Sequence, residues 1–200
     1  GGQYVVDTRQ TVKVFLQRFQ TIVTAVNTAY ILQTYQLPQE ADMSVVNLGV
    51  DYEFNNTNYR RNPSGGNELR IIVSAGSKKL KKNAEIVELK DPGNPNFYFG
   101  SLYDSVKMKT YQFKLRGQAA KYFPLGVQKR STIKTAINAG FLQSANIFRN
   151  ELFQIGGYKL LRGFDEESQY LSQFAVGTLE YRSLVGRNSY FNFCPDGGWG

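Results

Sequence analysis

The sequence predicts an all-β chain: an antiparallel transmembrane β-barrel, with a soluble β-sandwich or barrel as the alternative. Three observations lead there. From residue 43 onward apolar and polar residues alternate with period two, in runs that fit the roughly 9–11 residues a tilted strand needs to span a bilayer. The connections alternate between short turns, around 63, 126 and 186, and long polar loops, around 90 and 160. The polar side of each run carries charges and amides. A sandwich with a wet exterior also alternates, but it has no reason to gather its short turns at one end. A barrel in an outer membrane does: short turns on the inner side, long loops outside, apolar residues toward lipid and polar ones toward the lumen.

Taken in order, residues 1–34 are the least legible. Val12, Val14 and Leu16 alternate with Lys13 and Gln17 and read as a strand. Thr21 to Thr34 reads as a second strand, with an amphipathic helix over 11–34 as the other possibility. Next, Val46, Leu48, Val50, Tyr52 and Phe54 share one face, opposite Asn47, Gly49, Asp51, Glu53 and Asn55. Asn62-Pro-Ser-Gly-Gly66 is a turn by composition. The strand at about 67–78 sets Leu69, Ile71, Val73 and Ala75 against Glu68, Arg70, Ser74 and Gly76, with Ile72 the exception. A long polar connection, about 79–105, follows. Its lysine run Lys78–Lys82 reads as a solvated loop, with lipopolysaccharide phosphate as the sharper reading. Tyr111, Phe113, Leu115, Gly117 and Ala119 then alternate with Gln112, Lys114, Arg116 and Gln118. Ile133, Ile137, Ala139 and Phe141 alternate with Thr132, Lys134, Ala136 and Asn138. Ala175, Gly177, Leu179 and Tyr181 oppose Thr178, Glu180 and Arg182, and a last strand runs from Ser189 to Asp196.

Composition narrows the chemistry. The 200 residues include 13 Tyr and 14 Phe against one Trp, and the mean hydropathy is −0.38. No stretch approaches the ~20 apolar residues of a spanning helix. The net charge of +8 admits an anionic partner. With no His and a single cysteine, Cys194, the commonest general base, an internal disulfide and a cysteine-only metal site are excluded. No Walker loop, zinc spacing or nucleophile–base pair occurs, so no catalytic residue, metal or cofactor is expected, and no enzyme. Asp51 and Glu53 stand two apart with no pocket in evidence, which argues against a glycosidase pair.

One stretch organises the rest. Gly156 and Gly157 stand side by side, where the backbone can take φ > 0 or pass close to another segment. Five residues on, Leu161-Arg162-Gly163-Phe164 holds a lone cation between two apolar anchors. It is either a solvated loop arginine or a cation inserted to meet a carboxylate. Glu180 and Asp196 both fall on the polar parity of their strands, and an arginine's planar fork suits such groups.

Over roughly 43–200 the order of these elements resembles the outer-membrane insertase and two-partner-secretion superfamily: BamA, TamA, the hemolysin-activator transporters and surface-antigen barrels. Tyr52 to Tyr59 with Asn62-Pro63 and Gly66 resembles the family's strand-turn-strand opening. Glu151 to Phe164 resembles its sixth extracellular loop, signature Val/Leu-Arg-Gly-Phe/Tyr, and the stretch Glu151–Glu167 is similar to barrels of the Bacteroidetes group. Glu180-Tyr-Arg182 resembles the strand after that loop, and Asp196 with Gly198 the aspartate-x-glycine of the next. One departure stands out. Cys194 occupies the family's usual aromatic position, and Pro195 cannot donate to a ladder, which leaves the register of the last strand open.

The resemblance implies a sixteen-stranded barrel preceded by POTRA modules. Residues 1–200 are then expected to be part of one barrel domain, about eight of its strands. The loop at about 143–172 is expected to be inserted, and no second domain is expected. It implies an outer-membrane location and a role in inserting or translocating polypeptides. The expected partners are unfolded or secreted clients, outer-membrane lipid and lipopolysaccharide, and assembly lipoproteins, with no nucleic acid. Arg162 would meet Glu180 and Asp196 in the lumen. A passive pore and a soluble basic β-sheet module are the other readings.

Overall fold

A computed structural model describes residues 1–126, 130–157, 160, 165, 167–184 and 190–200. In chain order its strands are β1 (Gly2–Asp7), β2 (Gln10–Thr21), β3 (Met43–Asn55), β4 (Gly66–Leu80), β5 (Lys109–Leu125), β6 (Ser131–Ser144), β7 (Phe153–Ile155), β8 (Gln169–Leu171), β9 (Gln173–Leu184), β10 (Tyr190–Phe193) and β11 (Asp196–Trp199). β7 and β8 form a small antiparallel pair of their own; the other nine form one sheet, β1-β2-β3-β4-β5-β6-β9-β10, with β11 also on β9. Every pairing is antiparallel. The connections at 8–9, 56–65 and 126–130 therefore fall at one end of the sheet, and those at 22–42, 81–108 and 145–172 at the other.

The register confirms the two faces. Asp51, Ile72 and Arg116 share a rung on one face; Val50, Val73, Leu115 and Phe141 share a rung on the other. The second face is an exposed apolar surface, with Leu48 at 60% and Leu179 at 50% exposure. A folded chain surrounded by water rarely leaves so continuous an apolar face uncovered, whereas lipid covers it. The first face carries Lys13, Asp51, Glu68, Arg70, Lys114, Arg116, Lys134, Glu180 and Arg182, and is the lumenal wall.

Four expectations change. Thr21 to Thr34 is not a strand: β2 stops at Thr21, and the helix α1 (Thr28–Thr34) follows. Asn27 starts this helix, its side-chain oxygen accepting from the Tyr30 N–H at 3.0 Å. The connection 79–105 is more than a polar loop. It holds the short helix α2 (Ala84–Val87) and a 3-10 segment, Phe99–Ser105. Ile86, Phe99 and Tyr103 pack there against Ile31 of α1, with Leu37, Phe97 and Leu102 around them. The two long connections thus bury each other's apolar residues and form a cap with its own core.

Third, Lys78 is not in a solvated loop. It lies within β4, on the lumenal parity, and is fully buried. Last, the final strand is two pieces split at Cys194-Pro195, where proline removes a donor. The register nevertheless carries straight through. Phe193 lies opposite Tyr181 and Asp196 opposite Thr178, with two residues between on each strand, and the Leu179 N–H donates to the Pro195 carbonyl at 3.1 Å.

Candidate functional site

The lumenal wall carries its charge as pairs. Arg70 on β4 holds Asp51 on β3 with both prongs, Nε to Oδ1 at 3.0 Å and Nη2 to Oδ2 at 2.7 Å. That two-pronged geometry ties β4 to β3 across the lumenal face. Nearer the short-turn end, Arg182 holds Glu180 in the same two-pronged way, at 2.8 and 3.0 Å. The two stand two positions apart on β9, which puts both on one face. Lys134 on β6 lies 3.8 Å from Glu180 Oε2, and Asn192 on β10 donates to Oε1 at 3.4 Å. Tyr122 donates to Glu68 Oε2 at 3.1 Å and lies under the Arg182 and Lys134 cations. Beside this cluster a polar groove of about 440 Å³ opens between Glu53, Glu68, Arg70, Gln118, Lys134 and Asn138.

The connection that leaves β6 starts from the opposite end, and its limb 146–157 folds against this wall. Phe148 to Glu151 makes one tight turn, the Glu151 carboxylate accepting from the Phe148 N–H at 3.0 Å. The same Oε1 accepts from Lys78 Nζ, while Oε2 accepts from Gln112 Nε2 of β5 at 2.8 Å. Lys78 also donates to the Asn146 carbonyl. Both ends of the ion pair are shut off from water, the side chains 0% and 1% exposed. Beyond it Phe153 and Ile155 pack on Leu142, Phe174 and Val176 of the wall, and Lys114 lies over the Phe153 ring at 4.5 Å. On the outer side the Arg149 N–H donates to the Gln39 carbonyl at 2.8 Å and Asn150 Nδ2 to the Ala41 carbonyl at 3.0 Å. The limb 146–157 is therefore held by wall and cap together.

Gly156 and Gly157 both take positive φ, 128° and 87°. A Cβ on Gly156 would stand 2.3 Å from the Asp165 carbonyl oxygen. The pair thus supplies both properties expected of it, left-handed backbone and a close approach. Leu161, Arg162, Gly163 and Phe164 lie outside the described residues. Their two expected partners come together: Asp196, opposite Thr178, is one diagonal from Glu180 on the lumenal face, a spacing of about 7–8 Å between Cα atoms.

Sequence reasoning missed the Lys78–Glu151–Gln112 set. The signal was present in the parity of β4, since 68, 70, 74, 76 and 78 all alternate to the lumenal side. The four lysines within Lys78–Lys82 masked it by reading as one charge run.

These features are an apolar lipid face, a paired polar lumen, and a limb of a long connection, 146–157, folded onto the lumenal wall. The Omp85 superfamily domain matches residues 13–193. No curated protein matches the chain. The chain belongs to the Omp85 superfamily, and it is an outer-membrane protein with an all-β, barrel-type domain, of the group concerned with inserting or secreting polypeptides at that membrane.

Proposed function

We propose that this protein inserts or translocates other polypeptides at the outer membrane, by mechanical gating of its lumen and seam and without covalent chemistry. The observation that carries this reading is the limb 146–157 seated on the lumenal wall through Glu151, with Phe153 and Ile155 packed beneath. A connection anchored in this way occupies the outer end of the lumen. In our reading Arg162, further along the same connection, pairs with Asp196 and Glu180 and fixes its other end. The seam then stays free to part for a client strand, which would add to an open sheet edge through backbone hydrogen bonds. The partners in this reading are unfolded or secreted polypeptides, assembly lipoproteins, and outer-membrane lipid with lipopolysaccharide, not nucleic acid.

The test is reconstitution of the full-length protein into vesicles of outer-membrane lipid with an unfolded β-barrel client. Client that becomes protease-resistant only in vesicles holding the protein supports the proposal. Voltage-dependent conductance with no effect on any client would replace it with a passive pore.

A further inference from the structure

The lipid-facing side of the β4–β5 pair ends in a feature that the folded chain does not balance by itself. Moving toward the long connections, the rungs on this face are Ala75 with Phe113, Ser77 with Tyr111, and Lys79 with Lys109. Two ammonium groups thus share one rung, an arrangement that destabilises a sheet by repulsion. The ladder continues past it, because the Leu80 N–H donates to the Met108 carbonyl at 2.8 Å. Lys81 and Lys107 follow directly on either side of that bond, just past the last paired rung. All four lysines are exposed, and none of them makes an ion pair among the described residues. Asp42, the carboxylate nearest by register, is turned elsewhere. Its Oδ1 accepts from the Val23 N–H at 2.7 Å and its Oδ2 from Asn83 Nδ2 at 3.1 Å. Lys82, by contrast, is engaged by the Gly100 carbonyl and the Tyr103 ring.

Depth in the membrane fixes what the lysines meet. Tyr111, one rung below, is 83% exposed on the lipid face, and exposed aromatics on that face mark the girdle at the membrane–water boundary. The long connections of outer-membrane barrels face outward. Lys79, Lys81, Lys107 and Lys109 therefore stand at headgroup depth in the outer leaflet. We propose that these four lysines form a binding site for the phosphate of an outer-leaflet lipid, whose negative charge offsets the repulsion across the Lys79–Lys109 rung and the two lysines that follow it. The proposal deepens the lipid partner named above. It depends on the outer-membrane placement but not on any client being handled.

The experiment uses the full-length protein in detergent, with phosphorylated lipid A as the probe and its dephosphorylated form as control. Native mass spectrometry or co-purification measures retention by the wild type and by the variant Lys79→Gln/Lys109→Gln. We expect the wild type to retain the phosphorylated form in preference, and the variant to lose about fivefold per lysine removed. Without lipid, the variant should be no less stable than the wild type, and more stable if the repulsion is felt, which rules out misfolding as the cause of the loss. Inorganic phosphate at the same phosphorus concentration should fail to displace the lipid. Equal retention of both lipid forms, or unchanged retention by the stable variant, would overturn the proposal, and displacement by free phosphate would overturn the lipid source. Client insertion plays no part in these readouts, so the site and the insertase reading can fail separately.

Discussion

Lys78 and Glu151 are 73 positions apart in sequence and meet as an ion pair that water does not reach. The pair joins a strand of the wall to the start of the folded connection, and Gln112 completes the carboxylate's second oxygen at 2.8 Å. Desolvating two charges is expensive, so removing one partner alone leaves the other unbalanced, typically at about 3–5 kcal/mol. We expect Lys78→Met or Glu151→Gln to release the limb 146–157 and not to unfold the sheet, since the ladder bonds are untouched. Limited proteolysis of intact cells from outside should cut within 145–172 faster in either variant. The double variant Lys78→Met/Glu151→Leu should recover most of the protection. Equal cutting of wild type and single variants would argue that the pair does not hold the connection.

The two faces of β5 should differ in tolerance. Leu115 shares a lipid-facing rung with Val73 and Phe141, whereas Gln118 lies between Arg70 and Asn138 on the lumenal face. Leu115→Arg is expected to destabilise the membrane-inserted state by about 2–4 kcal/mol near the midplane. Gln118→Arg should be mild. Denaturant titration of protein folded into lipid vesicles measures both, and equal losses would contradict the face assignment.

Gly156 should resist any side chain. Its φ of 128° is unfavourable for an L-residue, and a Cβ would overlap the Asp165 carbonyl. Gly156→Ala should lower stability by about 1–3 kcal/mol through local strain. A thermal melt with unchanged midpoint would show that the segment simply shifts.

Arg162 is expected to couple to one or both of Asp196 and Glu180, which lie one diagonal apart on the lumenal face. The Glu180 carboxylate also accepts two bonds from Arg182 and has Lys134 beside it. A double-mutant cycle of Arg162→Ala with Asp196→Ala and with Glu180→Ala, read by activity in the full-length protein, separates them. Arg162→Lys should rescue poorly because an ammonium lacks the two-pronged fork. Additivity in both cycles would exclude the lumenal lock.

In the outer cap, Tyr35 donates to the exposed Asp91 carboxylate, which lies below the usual carboxylate range because of that bond and the Gly93 N–H. A depressed carboxylate contributes stability above its ordinary pKa and loses it as pH falls through the folded value. Amide exchange in the cap should therefore quicken below the normal carboxylate range. Asp91→Asn should flatten that acid limb.

Within β3, β4 up to Ser77, β5, β6 and β9 the period-two pattern by itself determined which side chains face lipid and which face the lumen, because a strand's side chains alternate strictly and one face must avoid hydrocarbon. It also placed Glu180 and Asp196 on one face, and the alternation of connection lengths placed the two ends. What it could not determine depended on contacts distant along the chain. Lys78 reads as one lysine of a run, and only the arrival of Glu151 and Gln112 makes its burial tolerable. Residues 21–34 carry a mixed pattern, and the helix there is selected by Ile86, Phe99 and Tyr103 of another connection, which cover Ile31. At Cys194-Pro195 local chemistry predicts a break, yet the ladder on β9 keeps both halves in one register. In each case the deciding energy comes from burial against a distant segment, and local alternation carries no record of which segment that will be.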